Sequence, residues 1–126
     1  MSETHPHVAV AARLTVRLLA GDADGVAEVY ADDFVVWRNF DGKELGKAQA
    51  VKVVRFLVSK VKDLRYENVR VLPTPEGFVQ QHALVGIAPS GVPVRAEACL
   101  VAKVRDGRIA RLDEYIDSAQ LAPLMG

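Results

Sequence analysis

Near the end of the chain, RIARLDEYIDS sets Glu114 between Leu112 and Ile116 at every second position. In a strand these three side chains share one face, while Asp113, Tyr115 and Asp117 share the other. A carboxylate among aliphatic neighbours is poorly solvated, which raises its pKa and suits it to proton transfer near neutrality. The competing reading is a carboxylate at a cavity rim, or one paired with an arginine across the sheet. His82, in FVQQHALV, is the single histidine away from the N-terminal end. Unperturbed, it titrates near neutrality and could act as a base or share a proton with Glu114. A hydrogen-bonded structural histidine is the equal alternative. Gln80, His82 and Leu84 form one face and Val79, Gln81, Ala83 and Val85 the other, and the residues leave open which is inward.

Trp37 and Asn39 share a face of the first expected strand, DDFVVWRNF. The indole offers a flat wall with one donor, and the amide could orient a water or a carbonyl. Core packing and the NFDG turn are the ordinary alternatives. In VRAEACLVAK, Arg95, Glu97, Cys99 and Val101 alternate with Ala96, Ala98 and Leu100. Read from the residues, Glu97 is part of an Arg–Glu ladder on a solvated or dimer-forming face. Cys99 is the one cysteine. It cannot form an internal disulfide or a thiolate metal cluster alone, so a reducing, cytoplasmic setting is expected. His5 and His7 sit at an expected frayed end and offer at most a weak metal site. No other closely spaced His, Asp or Glu group suggests a metal, and DGKELG lacks phosphate-loop spacing. Any chemistry is therefore expected to be cofactor-free, with no metal.

These residues need elements to hold them. VAVAARLTVRLLA puts Ala11, Leu14 and Leu18 on one helical stripe, and Gly21 and Asp22 read as a stop and a cap. A short helix, ADGVAEVYA, leads into the strand DDFVVWRNF. DGKELG reads as a loop, and KAQAVKVVRFLVSKVK carries Ala50, Val54, Leu57 and Val61 at helical spacing. From Leu64 the period becomes two, in four runs separated by PTPEG, PSGV and RDG, each with turn chemistry. Helices gathered in the first half and an antiparallel meander in the second define an α+β class. The architecture expected is a cone-like, curved, mostly antiparallel sheet with three helices on its concave face. With 126 residues, no repeat and no linker, residues 1–126 form one domain. Sixteen basic residues balance sixteen acidic ones without a basic run, so neither nucleic acid nor a membrane surface is an expected partner. The first residues show no signal peptide, and no apolar stretch is long enough to span a bilayer.

The order helix–helix–strand–helix–meander resembles the nuclear transport factor 2-like superfamily, in particular its SnoaL-like group. GDADGVAEVYADDFVVW, GKAQAV and VRDGRIARLDEYID carry the resemblance. Relatives include polyketide cyclases, ketosteroid isomerases and limonene epoxide hydrolase. Aligned through DGRI, the isomerases' oxyanion-hole aspartate falls on Cys99, their tyrosine near Leu14, and their base on Arg38 or Asn39. That constellation is not preserved. The hydrolase's tyrosine–x–asparagine pair aligns with Trp37 and Asn39, and its terminal-strand aspartate with Glu114. Its arginine and aspartate fall around Gln81 and His82 or Ala83, so that pair is lost. The resemblance also implies that Glu97 and Cys99 line the cavity, making Glu97 a second acid that could divide donor and acceptor roles with Glu114, and that the chain forms a homodimer, to which Ala96, Ala98 and Leu100 would lend an apolar face.

The function expected is binding of a small, largely apolar metabolite between sheet and helices. Cofactor-free acid/base chemistry of isomerase, cyclase or epoxide-hydrolase type would follow, with Glu114 and His82 catalytic. Trp37, Asn39, Gln81, Glu97 and Cys99 would hold the ligand. The alternative is a non-catalytic ligand-binding or dimerisation module.

Overall fold

The computed structural model describes residues 5–125. Helix α1 (Pro6–Leu19) opens on a proline, whose fixed φ and missing N–H suit a first helical turn. His5 caps it by accepting the His7 N–H, and the His7 ring nitrogen Nδ1 lies 3.0 Å from the Thr74 carbonyl oxygen, so this end is tied down. Val10, Ala11, Leu14 and Leu18 form its buried stripe. Gly21, at φ 74°, turns the chain through the left-handed region that a Cβ would oppose. Asp22 then caps α2 (Ala23–Val29) by accepting the Gly25 N–H at 2.8 Å.

The remaining elements are β1 (Tyr30–Arg38), β2 (Glu44–Gly46), α3 (Lys47–Lys60), β3 (Lys62–Pro73), β4 (Gly77–Ile87), β5 (Pro93–Arg105) and β6 (Arg108–Ile116). A 3₁₀ turn (Ser118–Leu121) and the short helix α4 (Ala122–Met125) follow. Strand β2 lies in the segment read as a loop. Three residues carry too little periodicity to announce a strand, and pairing with Val35, Val36 and Trp37 creates it.

The six strands form one sheet in the order β2-β1-β6-β5-β4-β3. Only β1 and β6 run parallel; the other neighbours are antiparallel. Helices α1, α2 and α3 cover one face, as the α+β reading requires. The larger apolar cluster joins Val10, Leu14, Val26, Val29 and Val54 from the helices to Phe34, Phe78, Leu100, Ile109 and Leu112 from the sheet. A smaller cluster of Leu84, Ala88 and Val94 lies at the other end, with Leu124 packed on it. Among the described residues, no helix is long and apolar enough to cross a membrane.

Register fixes which side chains face the helices. Phe78 opposes Ala102, which opposes Leu112; Gln80 opposes Leu100, which opposes Glu114; His82 opposes Ala98, which opposes Ile116. Directly opposed residues share a face, so these three rows form the floor under the helices. Ile109 and Leu112 are both buried although three residues apart, because the register slips between Lys103 and Val104 and a bulge resets the alternation.

The phase of β5 corrects two expectations. Ala96, Ala98 and Leu100 are on the helix-facing phase, with Ala96 and Leu100 buried and Ala98 half-buried, so this series is not an exposed apolar face for a second subunit. Glu97 and Cys99 face the other side, away from the floor. The reason is desolvation: the even positions are apolar, while Arg95, Glu97 and Lys103 keep their charges in water.

Candidate functional site

The floor between the two apolar clusters carries the polar groups. Gln80 and His82 are buried, 1% and 5% exposed, and their phase is thereby inward. Glu114 stands in the Gln80–Leu100 row, and Arg38 is its register partner on β1. Tyr30, at the start of β1, is buried and stacks on Phe34 at 3.8 Å. Tyr66, on β3, stacks on the His82 ring at 3.7 Å and 11°.

Burial raises the Glu114 pKa, and the positive charge of Arg38 partly opposes that rise. Arg38 does not neutralise it by contact, because its guanidinium is ion-paired with Asp41 and lies over the Phe40 ring at 4.7 Å. Among the described residues the Glu114 carboxyl has no hydrogen-bond partner. Burial likewise raises both tyrosines, and the charge of Glu114 adds to the rise in each. The hydroxyls therefore stay protonated as donors across the neutral range.

His82 departs from its expected role. Burial holds its pKa down at about 4, so the ring is neutral at pH 7 and is a poor base there. It is also remote from Glu114. The two occupy strands on either side of β5, their backbones roughly 10 Å apart by strand spacing alone.

Four of the other expected residues, Asn39, Gln81, Glu97 and Cys99, line an open groove of about 620 Å³ with Arg70 and Asp117; His82, Ala98 and Ile116 border it too, and Glu114 does not. Glu97 is exposed and pairs with Arg95 at 3.3 Å, and Arg95 reaches Glu67 at 2.9 Å. This is the cross-strand ladder, and Glu97 is not a buried second acid. Trp37 packs edge-on against Tyr115 at 5.3 Å on that outer face. Asn39 lies just past the end of β1, where its Oδ1 accepts the Ile116 N–H at 2.9 Å and its N–H donates to the Glu114 carbonyl at 3.0 Å. It pins the backbone that carries Glu114 and does not face the carboxyl.

Reasoning from sequence did not single out Tyr30, Tyr66 or Gln80 as parts of the site. Tyr30 was legible only as an inward residue of a helix end. Tyr66 is followed by a register slip between Glu67 and Arg70, with Asn68 at φ 56°, which hides the alternation. Gln80 shares a face with His82, and that pairing was the available signal.

With this fold and site, a family model described as the SnoaL-like domain matches residues 10–112, and the chain belongs to that family. Solved structures of similar shape include a candidate isomerase from Bacillus subtilis, at TM-score 0.83 and 18% identity, covering 100% of this chain and 96% of that one. A candidate polyketide cyclase from Xanthomonas campestris pv. campestris matches at TM-score 0.82 and 16% identity, over 96% and 97% of the two chains. An NTF2-like protein from Burkholderia xenovorans LB400 matches at TM-score 0.78 and 18% identity, over 98% of each. At such identities the likeness shows the fold. Comparison with curated proteins found no match.

Proposed function

We propose that this protein binds a small, largely apolar carbonyl compound between sheet and helices and moves a proton on it, as an isomerase or cyclase does, without a cofactor. The observation that carries the reading is the Glu114 carboxyl: on the helix-facing row, half-buried, without an ion-pair partner, and with its pKa raised by burial. A carboxylate so placed takes a proton from the carbon beside a carbonyl. The C–H electron pair becomes the C=C bond of an enolate, and the carbonyl π pair moves onto oxygen. Where a further C=C bond is conjugated with the enolate, returning the proton at its far carbon shifts that double bond and isomerises the compound. Attack of the enolate carbon on a second carbonyl closes a ring, and the proton goes to the new alkoxide.

The test is deuterium uptake by 2-tetralone, an apolar enolisable ketone, followed by NMR in D₂O. The wild-type protein is expected to accelerate exchange, and Glu114→Gln to lose roughly a hundred- to ten-thousand-fold of that acceleration. Equal exchange by both proteins, or none by the wild type, would overturn the reading. Binding of 2-tetralone without exchange would favour a non-catalytic ligand-binding module.

The reading includes a homodimer formed through the outer sheet face, where Val101 and Tyr115 are 39% and 45% exposed beside Trp37. Sedimentation at twice the 13.7 kDa chain mass supports it, and a monomer at working concentration sinks it.

A further inference from the structure

The polar chain Thr15–Gln80–His82–Tyr66 crosses from α1 to β3 through the floor, and the proton-transfer step above leaves it unused. The Gln80 amide nitrogen Nε2 lies 3.3 Å from the Thr15 hydroxyl oxygen and 3.1 Å from His82 Nδ1. Its Oε1 is fully occluded without a partner, one of two such side-chain atoms among the described residues; the other is Arg38 Nε.

Two arrangements of this chain can be written, and their costs differ. With Nε2 toward Thr15 and His82, both amide protons are used and one acceptor is left unsatisfied. With the amide turned over, both protons would be buried without acceptors. Buried N–H groups without a partner are rarer in proteins than under-used carbonyl oxygens, because each loses its water without compensation. The first arrangement therefore holds. In it Nδ1 accepts, so the neutral ring carries its proton on Nε2. That N–H has no acceptor among the described residues. Tyr66, stacked on the ring, fixes its plane. Ala98, opposite His82 on β5, ends at Cβ, and His82 and Ala98 both border the open groove.

We infer that His82 is a neutral hydrogen-bond donor to the substrate oxygen that gains charge as Glu114 removes the proton, and that Gln80 is the positioning residue that sets its tautomer. The inference rests on the proton-transfer reading and deepens it. The substrate class is a ketone or acyl compound whose oxygen lies on the β4 side when its acidic carbon meets Glu114. His82 keeps its proton throughout; the negative charge on oxygen is met by the Nε2–H and is discharged when the carbon is reprotonated.

The test uses histidine-labelled protein and long-range ¹H–¹⁵N correlation, with 2-naphthol as an oxyanion probe. His82 is expected to show the Nε2–H tautomer, and its Hε2 resonance to move downfield as 2-naphthol saturates. Gln80→Leu is expected to populate the Nδ1–H tautomer, weaken 2-naphthol about tenfold, and lower kcat with KM nearly unchanged. Should Gln80→Leu not fold, Thr15→Val keeps the shape of α1, removes the acceptor that fixes the amide, and is expected to shift the tautomer in the same direction. A wild-type ring protonated on Nδ1, an Hε2 resonance indifferent to 2-naphthol, or a tautomer unchanged in both variants would overturn the inference. Failure of the Glu114 reading is separately visible, as deuterium exchange that survives Glu114→Gln.

Discussion

Glu114 and His82 are both penalised for carrying charge, and their penalties run in opposite directions with pH. The folded pKa of Glu114 lies above its ordinary 4.5. Below 4.5 the group is protonated folded or unfolded and costs nothing; above its folded pKa the full cost applies. Glu114→Gln is therefore expected to be more stable than wild type at mildly alkaline pH, with the difference vanishing below pH 4.5, as urea titrations at both ends would show. His82 is lowered from 6.5 to about 4. Its contribution is complete above pH 6.5 and is lost as pH falls toward 4, by about 3 kcal/mol in all. Relative to His82→Gln, the wild type should lose that amount between pH 7 and pH 4, and a flat difference would contradict the burial argument. Glu114 was legible in the sequence because one carboxylate interrupted an aliphatic alternation. The neutral state of His82 was not, because it depends on what the helices and Tyr66 place over the ring.

The elements hold the site through positions where backbone meets backbone. A Cβ on Gly77 would come within 2.0 Å of the Ala102 carbonyl oxygen, and backbone cannot yield as a side chain does. Gly77→Ala is expected to destabilise by roughly 2–4 kcal/mol. Gly107, at φ 75° with open space around it, should lose only about 1 kcal/mol on the same change. Chemical denaturation of the pair separates a steric clash from backbone strain. Losing the Asp22 cap by Asp22→Ala should cost about 1 kcal/mol, read the same way. These helices and strands were legible from period and turn chemistry. Strand β2 and the bulges at Asn68 and Ala110 were not, because each arises where one strand meets another.

At the scale of the molecule, one sheet serves both apolar clusters, so they should melt together. Far-UV circular dichroism and Trp37 fluorescence are expected to report coincident unfolding transitions, and separated midpoints would show two independent units. The sequence by itself determined the α+β class, the element order, the family resemblance and the inward carboxylate, since local periodicity and turn residues act within a few positions along the chain. Tertiary structure alone decided the partners. It carried Gln81, Glu97, Cys99 and Trp37 to the outer face, brought Tyr30 and Tyr66 within the field of Glu114, and put Gln80 against His82. The physical reason is that strand phase across a sheet is set by which side the helices desolvate, and a one-residue offset exchanges every side chain between core and water.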